Sequence, residues 1–135
     1  MLITRKVEFS ASHVCRIPDL PAEENERIFG PDANPHGHGH NYVVEVTVAG
    51  EPDPVTGMVM DLKELKEVIE RQVIATYDHR FLNDEVAPFD RVVPTVENIA
   101  ADIWRRLEQP LGRGLHRVRV YETADYYAEY SGSAQ

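Results

Sequence analysis

His36-Gly37-His38-Gly39-His40-Asn41-Tyr42 sets three imidazoles at alternate positions with glycine between them. The chain runs on through Val43-Val44-Glu45-Val46-Thr47-Val48, a β-branched stretch that predicts a strand over residues 40–49. Side chains two apart on a strand point to the same face. His38 and His40 therefore share a face with Tyr42, Val44, Val46 and Val48. Two histidines at that spacing can share one metal ion, and the glycines let a ligand or a backbone come close. The alternative is a Gly/His-rich turn or the remnant of a tag. A tag would be terminal and contiguous, and this stretch is neither.

A third ligand is sought in the preceding strand. Residues 2–13 alternate, with Ile3, Val7, Phe9 and Ala11 on one parity and Thr4, Lys6, Glu8, Ser10 and Ser12 on the other. His13 closes the strand on the apolar parity. It is either a satisfied core histidine or the third ligand, and two strand histidines awaiting a partner favour the second. His36 has the same parity as the ligands and is either a further contact to the ion, a partner of its ligands, or a loop residue, the last being the preferred reading, and nothing gives His116 a chemical role.

The remaining chain supplies scaffold. Residues 16–35 hold four prolines and the cluster Glu23-Glu24-Asn25-Glu26, and they read as a long functional connection with a helical turn at Glu23 to Phe29. Asp61 caps a helix, with Glu64 in capping-box position and a stripe of Leu62, Leu65, Val68, Ile69 and Val73. Tyr77-Asp78-His79 breaks that pattern as an irregular segment. Thr95 caps a second helix, with a stripe of Val96, Ile99, Ala100, Ile103, Trp104 and Leu107, and Pro110 stops it. Val118, Val120 and Glu122 share one face of a third strand, where a carboxylate is costly unless paired or aimed at a ligand. A last strand runs from Tyr126 to Tyr130, and the tail from Ser131 reads as frayed. The order β-β-α-α-β-β predicts an α+β domain over residues 1–135, an antiparallel four-stranded sheet with two helices on one face. Its exposed outer strands predict a homo-oligomer.

The 135 residues suit one domain, and the formal net charge of −9 disfavours nonspecific binding to nucleic acid or anionic membrane. Cys15 is the only cysteine, which excludes an intrachain disulfide and a Cys-rich zinc module. Without a signal-peptide pattern or a bilayer-length apolar run, a soluble cytoplasmic protein is expected.

Phe9-Ser10-Ala11-Ser12-His13, Gly37-His38-Gly39-His40-Asn41-Tyr42, Gly57-Met58-Val59-Met60-Asp61, Asp78-His79 with Leu82-Asn83, Thr95-Val96-Glu97-Asn98 and Val120-Tyr121-Glu122-Thr123 together resemble the 6-pyruvoyltetrahydropterin synthase family. That family includes the 6-carboxytetrahydropterin synthase of queuosine biosynthesis. The resemblance implies a T-fold (tunnelling fold) whose subunits join into barrels, commonly a hexamer of two trimers. It implies Zn2+ held by His13, His38 and His40, and a pterin triphosphate substrate, 7,8-dihydroneopterin triphosphate. Asp78 and His79 would transfer protons. Glu122 would bind the amino-pyrimidine edge of the pterin, with Thr95 and Glu97 lining the same pocket, partly across a subunit interface. The implied reaction is that of a zinc-dependent lyase, giving 6-pyruvoyltetrahydropterin and free triphosphate.

The insertion Glu23 to Gly30 and the pair Asn34-Pro35 resemble the animal-type pyruvoyl branch. Those enzymes carry a catalytic cysteine in the context Phe-Gly-x-Cys-Asn-Asn-Pro. Here the stretch reads Phe29-Gly30-Pro31-Asp32-Ala33-Asn34-Pro35, so Asp32 stands at the cysteine position. Asp32 is the candidate catalytic base there, with Cys15 as the alternative. The substitution keeps two other outcomes open: the carboxy-forming or aldolase-type reaction, the latter giving 6-hydroxymethyl-7,8-dihydropterin, and a non-catalytic pterin- or metal-binding module.

Overall fold

The structure, a computed structural model, describes residues 1–132. The strands are β1 (Leu2–His13), β2 (His38–Ala49), β3 (Arg80–Phe81), β4 (Leu115–Thr123) and β5 (Tyr126–Tyr130). They form one sheet in the order β3-β1-β2-β4-β5. β1 and β2 pair antiparallel along their full length, from Leu2 opposite Ala49 to His13 opposite His38. β4 pairs antiparallel with β2, and β5 folds back on β4.

The expected antiparallel four-stranded sheet is thus a mixed five-stranded one. The extra strand is only two residues long, too short to show a period. It forms because β1 captures the segment after Tyr77. The His79 amide donates to the Ser10 carbonyl at 2.6 Å, and Arg80 and Phe81 then run parallel to Ala11 and Ser12.

Alternation along the strands decides which face is covered. Tyr42, Val44, Val46, Val118 and Val120 are fully buried, and they meet Leu65 and Ile69 of α2 (Leu62–Ile69) and Ile99, Ile103 and Leu107 of α5 (Val96–Leu111). Both helices therefore lie on one face, as expected. Each large apolar side chain buried there contributes roughly 1.5–3 kcal/mol.

Asp61 caps α2, but its Oδ1 accepts from the Lys63 amide at 2.9 Å rather than from Glu64. Leu62, in the first turn, is 42 % exposed and drops out of the expected stripe. The helix continues through a π turn (Glu70–Ile74) into α3 (Ala75–Tyr77). Thr95 caps α5 by accepting from the Asn98 amide at 3.2 Å. That helix ends at Leu111, one residue beyond Pro110.

The connection after β1 is a built wall. α1 (Ala22–Phe29) carries buried Asn25, whose side chain accepts from the Ile17 amide at 2.7 Å and donates to the Ile17 and Leu20 carbonyls. On the other side, Asn83 in the short α4 (Leu82–Glu85) accepts from the Val14 amide and donates to the Val14 carbonyl, at 2.8 and 2.9 Å. The chain is thus fixed on both sides as it leaves His13. Among the described residues no helix is long and apolar enough to cross a membrane. Of the tail expected to fray, residues 133–135 lie outside the described part.

Candidate metal centre and adjoining groove

Strand register assembles the centre. His13 lies opposite His38, and His40 lies opposite Ala11, so the three imidazoles share the helix-covered face at one end of the sheet. Their ring centroids are 4.6, 5.0 and 5.2 Å apart. One nitrogen from each lies within 4.8 Å of the other two, a group that can hold a metal ion. Gly39 permits the approach, because a Cβ there would stand 3.2 Å from the Ala11 carbonyl oxygen.

Two of the rings, those of His13 and His40, are poised as neutral donors. His13 is almost completely buried, and its Nδ1 lies 2.7 Å from the Pro94 carbonyl oxygen. A carbonyl only accepts, so Nδ1 carries the proton and Nε2 offers its lone pair. Burial lowers the pKa of His13 and of His40 below the ordinary histidine value, outweighing the pull of Glu122. Both Nε2 atoms are buried and have no hydrogen-bond partner among the described residues. Two orphaned lone pairs on neighbouring imidazoles are costly in a protein interior, and a divalent ion would satisfy them. Three imidazoles also leave a fourth coordination position open, the pattern of a catalytic rather than a structural site.

Two carboxylates flank the triad. Glu122 Oε1 lies 3.8 Å from His40 Nε2, and Oε2 lies 3.9 Å from His13 Nε2. Its side chain is 11 % exposed. Asp32 Oδ1 lies 3.7 Å from His38 Nε2, and the Asp32 carbonyl accepts from the Cys15 amide at 2.9 Å. A groove of about 570 Å³ runs from this point, with Asp32, Cys15, Thr95, Glu97, Glu122 and Tyr126 among its walls. Cys15 is buried, and burial pushes its thiol up to about 12, so it stays protonated and poorly reactive.

Asp78 and His79 stand apart from this group. Asp78 Oδ1 accepts from the Ser10 amide at 2.9 Å, which holds its carboxyl below the ordinary value. Its Oδ2 meets His79 Nδ1 at 3.0 Å. His79 has a positive φ of 63° and an 81 % exposed side chain. It lines a second open groove whose walls include Ser10, Ser12 and Asn41, of the parity that points away from the triad, and also His40 of the triad itself. One chain therefore brings His13, His38 and His40 together and leaves the Asp78–His79 pair outside that cluster. His36 and His116 are both exposed.

Tyr126 is the neighbour that pattern reading missed. Its hydroxyl donates to Glu122 Oε1 at 2.6 Å, and this bond pushes the phenol up to about 12. Only the Asp125 turn between β4 and β5 brings these two side chains together, and nothing in the strand period signals it.

Fold and site together define a T-fold, α+β protein with a three-histidine centre that can hold a metal ion. A sequence profile of the 6-pyruvoyl tetrahydropterin synthase family matches residues 2–133, and the chain belongs to that family. It is 47 % identical over 131 residues to the 6-pyruvoyl tetrahydrobiopterin synthase of Homo sapiens, covering 96 % of this chain and 90 % of that one. It is 40 % identical over 92 residues to a putative 6-carboxy-5,6,7,8-tetrahydropterin synthase of Archaeoglobus fulgidus, covering 68 % and 73 %. The solved 6-pyruvoyl tetrahydropterin synthase of Caenorhabditis elegans superposes with a TM-score of 0.93 at 38 % identity, covering 98 % of this chain and 96 % of that one.

Proposed function

We infer that the chain is a carbon–oxygen lyase that converts 7,8-dihydroneopterin triphosphate to 6-pyruvoyltetrahydropterin with release of triphosphate, using zinc held by His13, His38 and His40. The observation that carries this reading is the pair of buried, unpartnered Nε2 atoms beside Glu122 in a chain of this family. Zinc at the triad supplies Lewis acidity, which makes protons on carbons beside a substrate oxygen easier to remove. No external oxidant is needed, since the side chain is oxidised as the ring is reduced.

The chain's own residues bind the substrate and move its protons. Glu122 receives two parallel N–H bonds from the amino-pyrimidine edge, which explains an acid on an apolar strand face. Thr95 and Glu97 line the same groove. Asp32, beside His38, is placed to accept a proton from the substrate side chain. The Asp78–His79 pair is the second proton carrier. It faces away from its own triad at the β1 edge, so it serves a neighbouring subunit once sheet edges pair. We therefore assign a homo-oligomer, a hexamer of two trimers.

Incubation of zinc-loaded protein with 7,8-dihydroneopterin triphosphate tests the assignment. Released triphosphate together with a pyruvoyl pterin is expected; bound and unchanged pterin sinks the enzyme reading and leaves a binding module. One observation favours a second reaction in the same pocket. An oxygen base, Asp32, occupies the loop position where a thiol was expected. Acetaldehyde or 6-hydroxymethyl-7,8-dihydropterin among the products would show that this base redirects the chemistry.

A further inference from the structure

The strand pairing around Glu122 is irregular. Tyr121 pairs with Tyr127 and Thr123 pairs with Tyr126, so β4 advances two residues while β5 advances one. Glu122 is the extra residue of a β-bulge, the device that re-aims a side chain and leaves it outside the ladder. Parity brings Glu122 to this face, but at a bulge the ladder no longer sets where its carboxylate aims. Its oxygens stand 3.8 and 3.9 Å from His40 and His13, beyond hydrogen-bond reach. Among the described residues, the hydrogen bond from Tyr126 is what fixes it, at 2.6 Å from the next strand.

We propose that Tyr126 is a positioning residue of the substrate groove: its hydroxyl, donating to Glu122 Oε1, sets the carboxylate so that both oxygens face the paired N–H donors of an amino-pyrimidine ring. The stoichiometry of lone pairs permits this. An ionised carboxylate offers about four acceptor positions. The phenol takes one on Oε1 and leaves one there and two on Oε2, enough for a flat, two-pronged donor. Tyr126 is 47 % exposed and lines the groove that holds Asp32, Thr95 and Glu97. An aromatic ring left half in solvent beside that groove is placed to meet a planar ligand.

The proposal rests on the pterin reading of the groove and makes a demand of its own. Freed from Tyr126, Glu122 can turn toward the triad, and recognition of the 2-amino group weakens. The experiment measures binding of neopterin, and of the matching lumazine with oxygen in place of the 2-amino group, to metal-loaded wild type, Y126F and E122Q. Fluorescence quenching reads the affinity, and thermal melts check that each variant is folded.

For Y126F we expect neopterin affinity to fall about tenfold, the scale of one hydrogen bond to a charged group. Lumazine affinity should change little, so discrimination between the two ligands collapses. With 7,8-dihydroneopterin triphosphate as substrate, KM should rise by about the same factor with kcat nearly unchanged, the mark of a binding interaction. Equal losses for both ligands, or a Y126F protein that matches wild type for both, overturn the role of Tyr126. If wild type binds neopterin and E122Q does not, the pterin reading survives that defeat. If wild type binds neither ligand, the pterin reading falls and takes the proposal with it.

Discussion

At the scale of residues, the centre depends on which groups hold their protons. Cys15 and Asp32 are the two candidates for the proposed proton-accepting role beside the triad, and burial separates them. The thiol is buried and pushed up to about 12, whereas the Asp32 side chain is 61 % exposed beside His38. Asp32→Ala should therefore lower turnover by roughly 10²–10⁴-fold, the usual loss for a general base. Cys15→Ala should leave turnover nearly intact, and steady-state kinetics on the two variants decides between them. Asp78 supports a different prediction. The Ser10 amide and the neighbouring His79 depress its carboxyl pKa. A depressed carboxyl adds stability that is present above its unfolded pKa and lost as pH falls through its folded one. Its NMR titration midpoint should lie below the ordinary aspartate value, and Asp78→Asn should flatten the acid limb of the stability profile. The histidine triad was legible in the sequence because parity alone places residues 38 and 40 on one face. Asn25, Asn83 and Tyr126 were not, since their partners come from the far side of a turn or loop.

At the scale of elements, period and capping gave the long pieces and failed on the short ones. β1, β5, α2 and α5 fall where alternation and Ser/Thr/Asp caps place them. β3 and the π turn after α2 carry no pattern of their own; β1 imposes the first by offering a free edge. Buried Asp102 escaped notice too. It sits in α5 among Tyr77, Arg105 and Arg106, and its Oδ2 accepts from the Tyr77 hydroxyl at 2.5 Å. An acid at that helical position reads as solvated until the neighbouring α3 is in place. The α2 cap is testable by itself. Asp61→Ala removes the bond to the Lys63 amide and should cost about 1 kcal/mol in urea unfolding. Metal affinity should not change, because the cap lies outside the centre.

At the scale of the whole molecule, two sheet margins remain open. β3 covers β1 only at Ala11 and Ser12, and the outer side of β5 pairs with no strand of the described chain. Long unpaired margins favour association with another sheet. Sedimentation should show one discrete assembly whose subunit count is a multiple of three, and a stable monomer at micromolar concentration would count against it. Metal and fold should also be linked. An ion that binds only the folded state at a hundredfold excess over its dissociation constant adds about 2.7 kcal/mol of stability. Zinc should raise the melting temperature of wild type and leave His38→Ala where it was.

The bond between His13 Nδ1 and the Pro94 carbonyl ties the last residue of β1 to the residue preceding the Thr95 cap. Occupancy of the centre therefore should be felt at the start of the longest helix. With the ion stripped by a chelator, amide exchange at residues 96–98 should quicken along with that of β1, while the distal half of the helix keeps its protection. The imidazole works as a rivet between two layers, and its grip is set by what its other nitrogen is holding.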